Sequence, residues 1–185
     1  MSKRLFVSVD LDGLDDAVAD VQDLLVDASG LNVVDPAQAH LTLKFLDDTD
    51  EARIDDLISE LEAAVTDSGV EPCTVTFEGL GVFPSLDYIS VVWLGVEAGN
   101  EELIRLHEAI EARTTAMGFE AEDHDFTPHV TLARMNHAGG KELVQEIVRE
   151  RDPTVGQMHV KEIRLTESEL TDEGPEYSTL ASIPL

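Results

Sequence analysis

The sequence predicts an α+β protein built as two like lobes around a shared core. Three observations predict it. The same four-residue pattern, His-apolar-Thr-Leu, stands in "AHLTLKFL" (39–46) and again in "PHVTLARM" (128–135). Each copy holds the same place in a half-pattern that reads strand, helix, tetrad strand, helix, strand. No stretch rich in Pro, Gly or Ser separates the halves, so residues 1–185 read as a single bilobal domain with its lobes packed together. A pseudo-two-fold relation between the lobes would bring the strands at 40–43 and 129–132 across one cleft.

The elements follow in order. "RLFVSVDL" (4–11) alternates apolar and polar residues, as a strand does. Leu14, Val18, Val21, Leu25 and Ala28 recur at helical spacing until Gly30 stops them. "LNVV" (31–34) is a short strand before the Asp35-Pro36 turn, and "HLTLKFL" (40–46) is the first tetrad strand. Ile54, Leu57, Ile58, Leu61 and Val65 mark one face of a helix with Asp50 as its cap and Gly69 as its stop. "CTVTFEGLGVF" (73–83) reads as a strand broken by glycines. The second half opens with "YISVVWLGV" (88–96), a strand. A helix marked by Leu103, Leu106, Ile110 and Met117 ends at Gly118. "HVTLAR" (129–134) is the second tetrad strand, and "GKELVQEIVRERD" (140–152) is a helix stopped by Pro153. "MHVKEIRLTES" (158–168) and "YSTLASIPL" (177–185) are the closing strands.

Composition narrows the function. Asp and Glu number 39 against 12 Lys and Arg, a formal net charge of -27 spread along the whole chain. No basic stripe exists to grip a nucleic-acid backbone. A chain so acidic repels itself in dilute buffer. At about 1 M salt the Debye length falls to about 3 Å and the repulsion is screened. The expectation is a cytoplasm with molar salt, as in a halophilic archaeon. The lone Cys73 permits no internal disulfide and fits a reducing compartment. No run reaches the roughly 18 apolar residues of a membrane span. Neither GxxxxGK[ST] nor GxGxxG occurs, and no HExxH or CxxC spacing suggests a metal, so no cofactor is expected.

The tetrads carry the chemistry. Residues i and i+2 of a strand share a face. His40 and Thr42 therefore look one way and Leu41 and Leu43 the other, and His129 and Thr131 are backed likewise by Val130 and Leu132. Each strand offers one imidazole and one hydroxyl. Two imidazoles, one neutral and one protonated, can take a proton from water and give one to a leaving oxygen. Two hydroxyls can donate to anionic oxygens between them. That set suits a phosphate diester. Two such tetrads in one chain arise by chance on the order of once in ten thousand sequences. His107, beside the apolar stripe of its helix, reads as structural. His124, His137 and His159 have no matching partners.

"HLTLKFL" and "FTPHVTLAR" resemble the paired HXTX motifs of the two-histidine (2H) phosphoesterase superfamily. Within it the chain most resembles the RNA 2',3'-cyclic phosphodiesterases, also described as 2'-5' RNA ligases. "RLFVSVDL", "VVWLGV" and "LTESELTDEGPEYSTLASIPL" extend the resemblance over nearly the whole chain. It implies antiparallel sheets lining a central cleft, with helices outside. It implies metal-independent hydrolysis of RNA 2',3'-cyclic phosphate ends to 2'-phosphates, with His40 as the proton donor and His129 as the proton acceptor. Thr42, Thr131 and Arg134 would bind the phosphate, a guanidinium being suited to paired hydrogen bonds. Lys44 and Phe45 are candidate substrate contacts, Phe45 by stacking on a base.

Strict alternation sets two of these residues at odds with their roles. It puts Ala133 on the cleft face and Arg134 behind, and it puts Lys44 beside His40 and Thr42. The tetrads are symmetric, so they do not themselves say which histidine is acid and which is base. The same catalytic set would serve a small cyclic nucleotide or an ADP-ribose cyclic phosphate, or the reverse 2'-5' ligation. A non-catalytic RNA-end binder is the reading from another class, though phosphate binding alone would favour Arg and Lys over paired histidines. The expected partner is an RNA 2',3'-cyclic phosphate end or a small cyclic nucleotide, bound by a monomer with no membrane attachment. In molar salt, affinity should rise little with RNA length.

Overall fold

A computed structural model describes residues 1–185. Nine strands and four helices follow the order β1 (Ser2–Asp10), α1 (Asp15–Asp23), β2 (Leu31–Val33), β3 (His40–Asp50), α2 (Ile54–Ser68), β4 (Cys73–Pro84), β5 (Ile89–Ala98), α3 (Asn100–Ala116), β6 (His129–Met135), α4 (Lys141–Glu150), β7 (Thr154–Val160), β8 (Glu162–Thr171) and β9 (Gly174–Pro184). All pairings are antiparallel and form one curled sheet in the order β7-β4-β5-β6-β3-β1-β8-β9, with β2 beside β6. The sheet's centre is the meeting of the two tetrad strands, joined at the single pair Leu41 and Val130. About that centre, β3 mirrors β6, β1 mirrors β5 and β8 mirrors β4.

The two sequence halves do not fold as consecutive bodies. β4, the last strand of the first half, pairs with β5 and β7 on the far side of the centre. β8 and β9 return to β1. The helices trade places too: α1 reaches β6 and β7, while α3 packs on α2 and β3. Leu41, Leu43, Val130 and Leu132, each at most 1% exposed, meet Leu57, Leu61, Leu103, Leu106 and Ile110 in the main core. A smaller core under α4 joins Val144 and Ile147 to Leu25, Ala28, Ile89 and Val92. The helices thus cover the convex face and leave the concave face open.

Two expected elements end elsewhere. The segment 158–168 is not one strand: β7 stops at Val160 and β8 starts at Glu162, on opposite sides of the sheet's centre. The buried residues Val160 and Ile163 are three apart, and that lapse of the two-residue period marks the turn. The first helix closes at Asp23. Beyond it the chain tightens into i to i+3 bonds, as from Leu25 N–H to Gln22 O, and carries Leu25 and Ala28 into the smaller core as turns. Asp50 does act as a cap, accepting from Ala52 N–H at 3.0 Å, but for a 3₁₀ turn (Glu51–Arg53) that leads into α2. Gly69, at φ 65°, closes α2 in the left-handed conformation a helix stop favours.

Candidate active site

Both tetrad strands break their alternation at the same place. In the pairing of β3 with β1, Thr42 faces Ser8 and Lys44 faces Val7, so Leu43 is an extra residue. In the pairing of β6 with β5, Thr131 faces Trp93 and Ala133 faces Val92, so Leu132 is extra. Each is a β-bulge on the tetrad's leucine. A bulge puts two consecutive residues on one face and reverses the alternation beyond it. Leu43 and Lys44 are both buried, as are Leu132 and Ala133. The next residues, Phe45 and Arg134, swing onto the concave face.

This overturns the expectation for Lys44. Its side chain is 1% exposed and lies beneath the sheet, donating to Glu111 Oε2 at 2.8 Å and to the Glu120 carbonyl at 2.6 Å. Lys44 is a buried ion-pair partner and not a substrate contact. The same bulge geometry answers the difficulty over Arg134: Ala133, not Arg134, is the inward residue.

Buried side chains from the crossing helices bind both bulge carbonyls. His107 of α3 holds Leu43 O through Nδ1 at 2.7 Å, and its ring stacks on Phe126 at 4.1 Å. Gln22 of α1 donates from Nε2 to Leu132 O at 3.0 Å and to Val34 O at 2.8 Å. Leu132 O also accepts from Val34 N–H at 2.9 Å, so Gln22 is its second donor; a buried carbonyl with no donor at all would cost about 1–3 kcal/mol. His107 is structural, as its place in the sequence suggested. Gln22 carried no signal, because nothing in a helical pattern announces a distant bulge.

A cavity of ≈ 680 Å³ brings together His40, Thr42, Phe45, His129, Thr131 and Arg134. His40 Nδ1 lies 2.9 Å from Gln38 O, and His129 Nδ1 lies 2.6 Å from Thr127 O, in each case the carbonyl two residues upstream. A carbonyl only accepts, so each Nδ1 carries the hydrogen and Nε2 is the nitrogen left for a substrate. Burial is the leading cause that lowers both imidazoles below the ordinary 6.5, and Arg134 pushes both in the same direction. Their surroundings differ otherwise. His40 stands opposite Asp10 in the strand register, and that carboxylate raises its pKa. His129 has no such carboxylate and is lowered further by His124 and His40.

Aromatic rings flank both histidines. Phe6 stacks on His40 at 4.9 Å and Tyr177 meets it edge-on at 5.1 Å. Phe83 meets His129 edge-on at 4.9 Å, with Trp93 at 5.9 Å. These four rings, and Asp10, were not singled out from the sequence. The available signal was the alternation of β1, which puts Phe6, Ser8 and Asp10 on one face.

Two imidazoles, the two tetrad hydroxyls and the Arg134 guanidinium around an open cavity suit a phosphodiester. Comparison with known proteins gives the same direction. Residues 11–172 match the model of the 2'-5' RNA ligase superfamily. A Methanothermobacter thermautotrophicus protein named RNA 2',3'-cyclic phosphodiesterase is 38% identical over 97% of this chain and 97% of its own length. One of the same name from Archaeoglobus fulgidus is 35% identical over 96% and 97%. The crystal structure of TT0787 from Thermus thermophilus superposes with a TM-score of 0.80 at 29% identity, covering 98% of this chain and 97% of that one. The chain belongs to the 2'-5' RNA ligase superfamily, the 2H phosphoesterases, and has their fold.

Proposed function

We propose that this protein hydrolyses RNA 2',3'-cyclic phosphate ends to 2'-phosphomonoesters, with His129 as general base and His40 as general acid. His129 Nε2 takes a proton from water as the water oxygen bonds to phosphorus. The bond from phosphorus to O3' breaks, and His40 Nε2–H protonates the departing oxygen. Thr42, Thr131 and Arg134 hold the non-bridging oxygens, where charge builds in the transition state. The step as written needs no metal ion and no cofactor. The observation that carries the reading is the paired geometry of the imidazoles, each with Nδ1 tied to a backbone carbonyl and Nε2 left for the cavity. The names carried by the archaeal relatives support the substrate.

The division of roles rests on Asp10. An acid must hold its proton until the leaving oxygen takes it, and a neighbouring carboxylate favours the protonated imidazole. His40 has that neighbour and His129 does not. The protein acts as a monomer in a cytoplasm of molar salt, where its charge of -27 is screened.

The test is a short RNA with a 2',3'-cyclic phosphate end, incubated in about 2 M KCl with EDTA. Conversion to a 2'-phosphate by the wild type, but not by His40→Ala or His129→Ala, is expected. Turnover of only a small cyclic nucleotide would move the substrate class. No turnover of either would leave a binding protein. Faster turnover in dilute buffer would remove the salt requirement.

A further inference from the structure

The concave face does not end at His129. Across the register, His129 pairs with Gly95, Thr131 with Trp93, and Trp93 in turn with Gly81. Glycine at 79, 81 and 95 leaves this part of the sheet without side chains. A Cβ at Gly81 would stand 2.1 Å from the Trp93 ring, and one at Gly95 would stand 3.0 Å from Glu78 O. The result is a shelf bearing one indole, enclosing ≈ 450 Å³ and bordered by Thr127, Asn100, Arg149, Arg151 and Asp152. Thr127 is the residue whose carbonyl holds His129, so the shelf adjoins the cavity.

Of the 12 Lys and Arg, five form salt bridges and seven do not, and two of those seven border the shelf. Lys3, Arg4, Lys44, Arg113 and Arg164 are each paired with a carboxylate. Arg149 and Arg151 are exposed and belong to none of these pairs, in a chain where acids outnumber bases 39 to 12. An aromatic face beside unpaired arginines is the pattern that single-stranded nucleic acid uses, base on ring and phosphate on guanidinium. Asp152 and Asn100 add groups that can meet a ribose 2'-hydroxyl, which distinguishes RNA from DNA.

Resting on the function proposed above, we infer that the shelf at Trp93, Arg149 and Arg151 binds the penultimate ribonucleotide of an RNA substrate. The shelf holds one nucleotide, so recognition gains from the second residue of the RNA and little beyond it. This sharpens the expectation from net charge alone, which was that affinity should rise little with length.

Trp93 is the chain's one tryptophan, so its fluorescence reports on the shelf without turnover. The experiment titrates the protein with adenosine 3'-phosphate and with the di- and tetra-adenylates ending in 3'-phosphate, and measures kcat/KM on the matching 2',3'-cyclic phosphates. The dinucleotide should bind about 5- to 100-fold more tightly than the mononucleotide. The tetranucleotide should add less than about twofold. The double variant Arg149→Ala/Arg151→Ala should keep mononucleotide binding and turnover and lose most of the dinucleotide gain. A deoxyribose at the penultimate position should reduce that gain. Equal binding of mono- and dinucleotide, or a gain that survives the double variant, would overturn the inference. Absence of turnover alongside a dinucleotide binding gain would count against the assigned reaction and for the shelf.

Discussion

Up to their bulges, β3 and β6 present the same groups in the same way. Each starts with a histidine whose Nδ1 is tied to the carbonyl two residues upstream, follows with a threonine on the same face, and bulges at a leucine whose carbonyl is held by a crossing helix. Beyond the bulge they part. The inward residue is Lys44 in one and Ala133 in the other, and the outward residue is Phe45 in one and Arg134 in the other. Asp10 stands beside His40, while no carboxylate raises His129, which Arg134, His124 and His40 all lower. The two strands carry equivalent imidazoles and hydroxyls, and what differs between them is the set of neighbours, on which the proposed division of roles rests.

The comparison breaks most sharply at the histidines. His40→Ala and His129→Ala should each lower kcat on a cyclic phosphate RNA by about 10²- to 10⁴-fold. A p-nitrophenyl phosphodiester separates them, because its leaving group needs no acid. His40→Ala should recover much of the loss on that substrate and His129→Ala should not; equal recovery would show that the roles are not divided as assigned.

The outward residues come next. Arg134→Met should lower kcat/KM by about 10²-fold through lost transition-state charge stabilisation. Phe45→Ala should act mainly on KM, by the few-fold expected of a lost stacking face. An equal effect on kcat from both would mean that Phe45 and Arg134 do the same work.

The inward residues should affect stability instead. Lys44→Met leaves Glu111 without its cation and should cost about 3 kcal/mol in denaturant unfolding, the low end for a broken buried pair. The double variant Lys44→Met/Glu111→Gln should regain part of that. Gln22→Leu should cost about 1–3 kcal/mol by removing the side-chain donor to the Val34 carbonyl and one of the two donors to the Leu132 carbonyl, which keeps Val34 N–H. It should also lower kcat/KM, because Arg134 then loses the bulge that aims it. Unchanged activity with lowered stability would show that the bulge holds without its donor.

The smallest expected effect is in pH. The proposed roles need His40 protonated and His129 neutral. Burial lowers both groups, so the basic limb of kcat/KM, set by loss of the His40 proton, should fall below the ordinary 6.5. Asp10 raises His40, so Asp10→Asn should move that limb to still lower pH. A shift towards alkaline pH would remove Asp10 from the division of roles.

Sequence alone was enough to locate the two tetrads, with their imidazoles and hydroxyls on one face, the backing Leu41, Leu43, Val130 and Leu132, and most of the strands and helices. Those features are local: the identity of a residue and the period of its neighbours suffice. What only the tertiary structure decided begins one residue past each tetrad. Whether Lys44 or Phe45, and Ala133 or Arg134, faces the cavity depends on bulges set by pairing with β1 and β5, and alternation within one strand carries no knowledge of its partner's register. The exchange of β4, β8 and β9 across the centre is likewise absent from the order of the elements. So is the difference between the histidines' surroundings, because two like tetrads acquire different neighbours, such as Asp10 beside His40 and His124 beside His129, only when the chain folds.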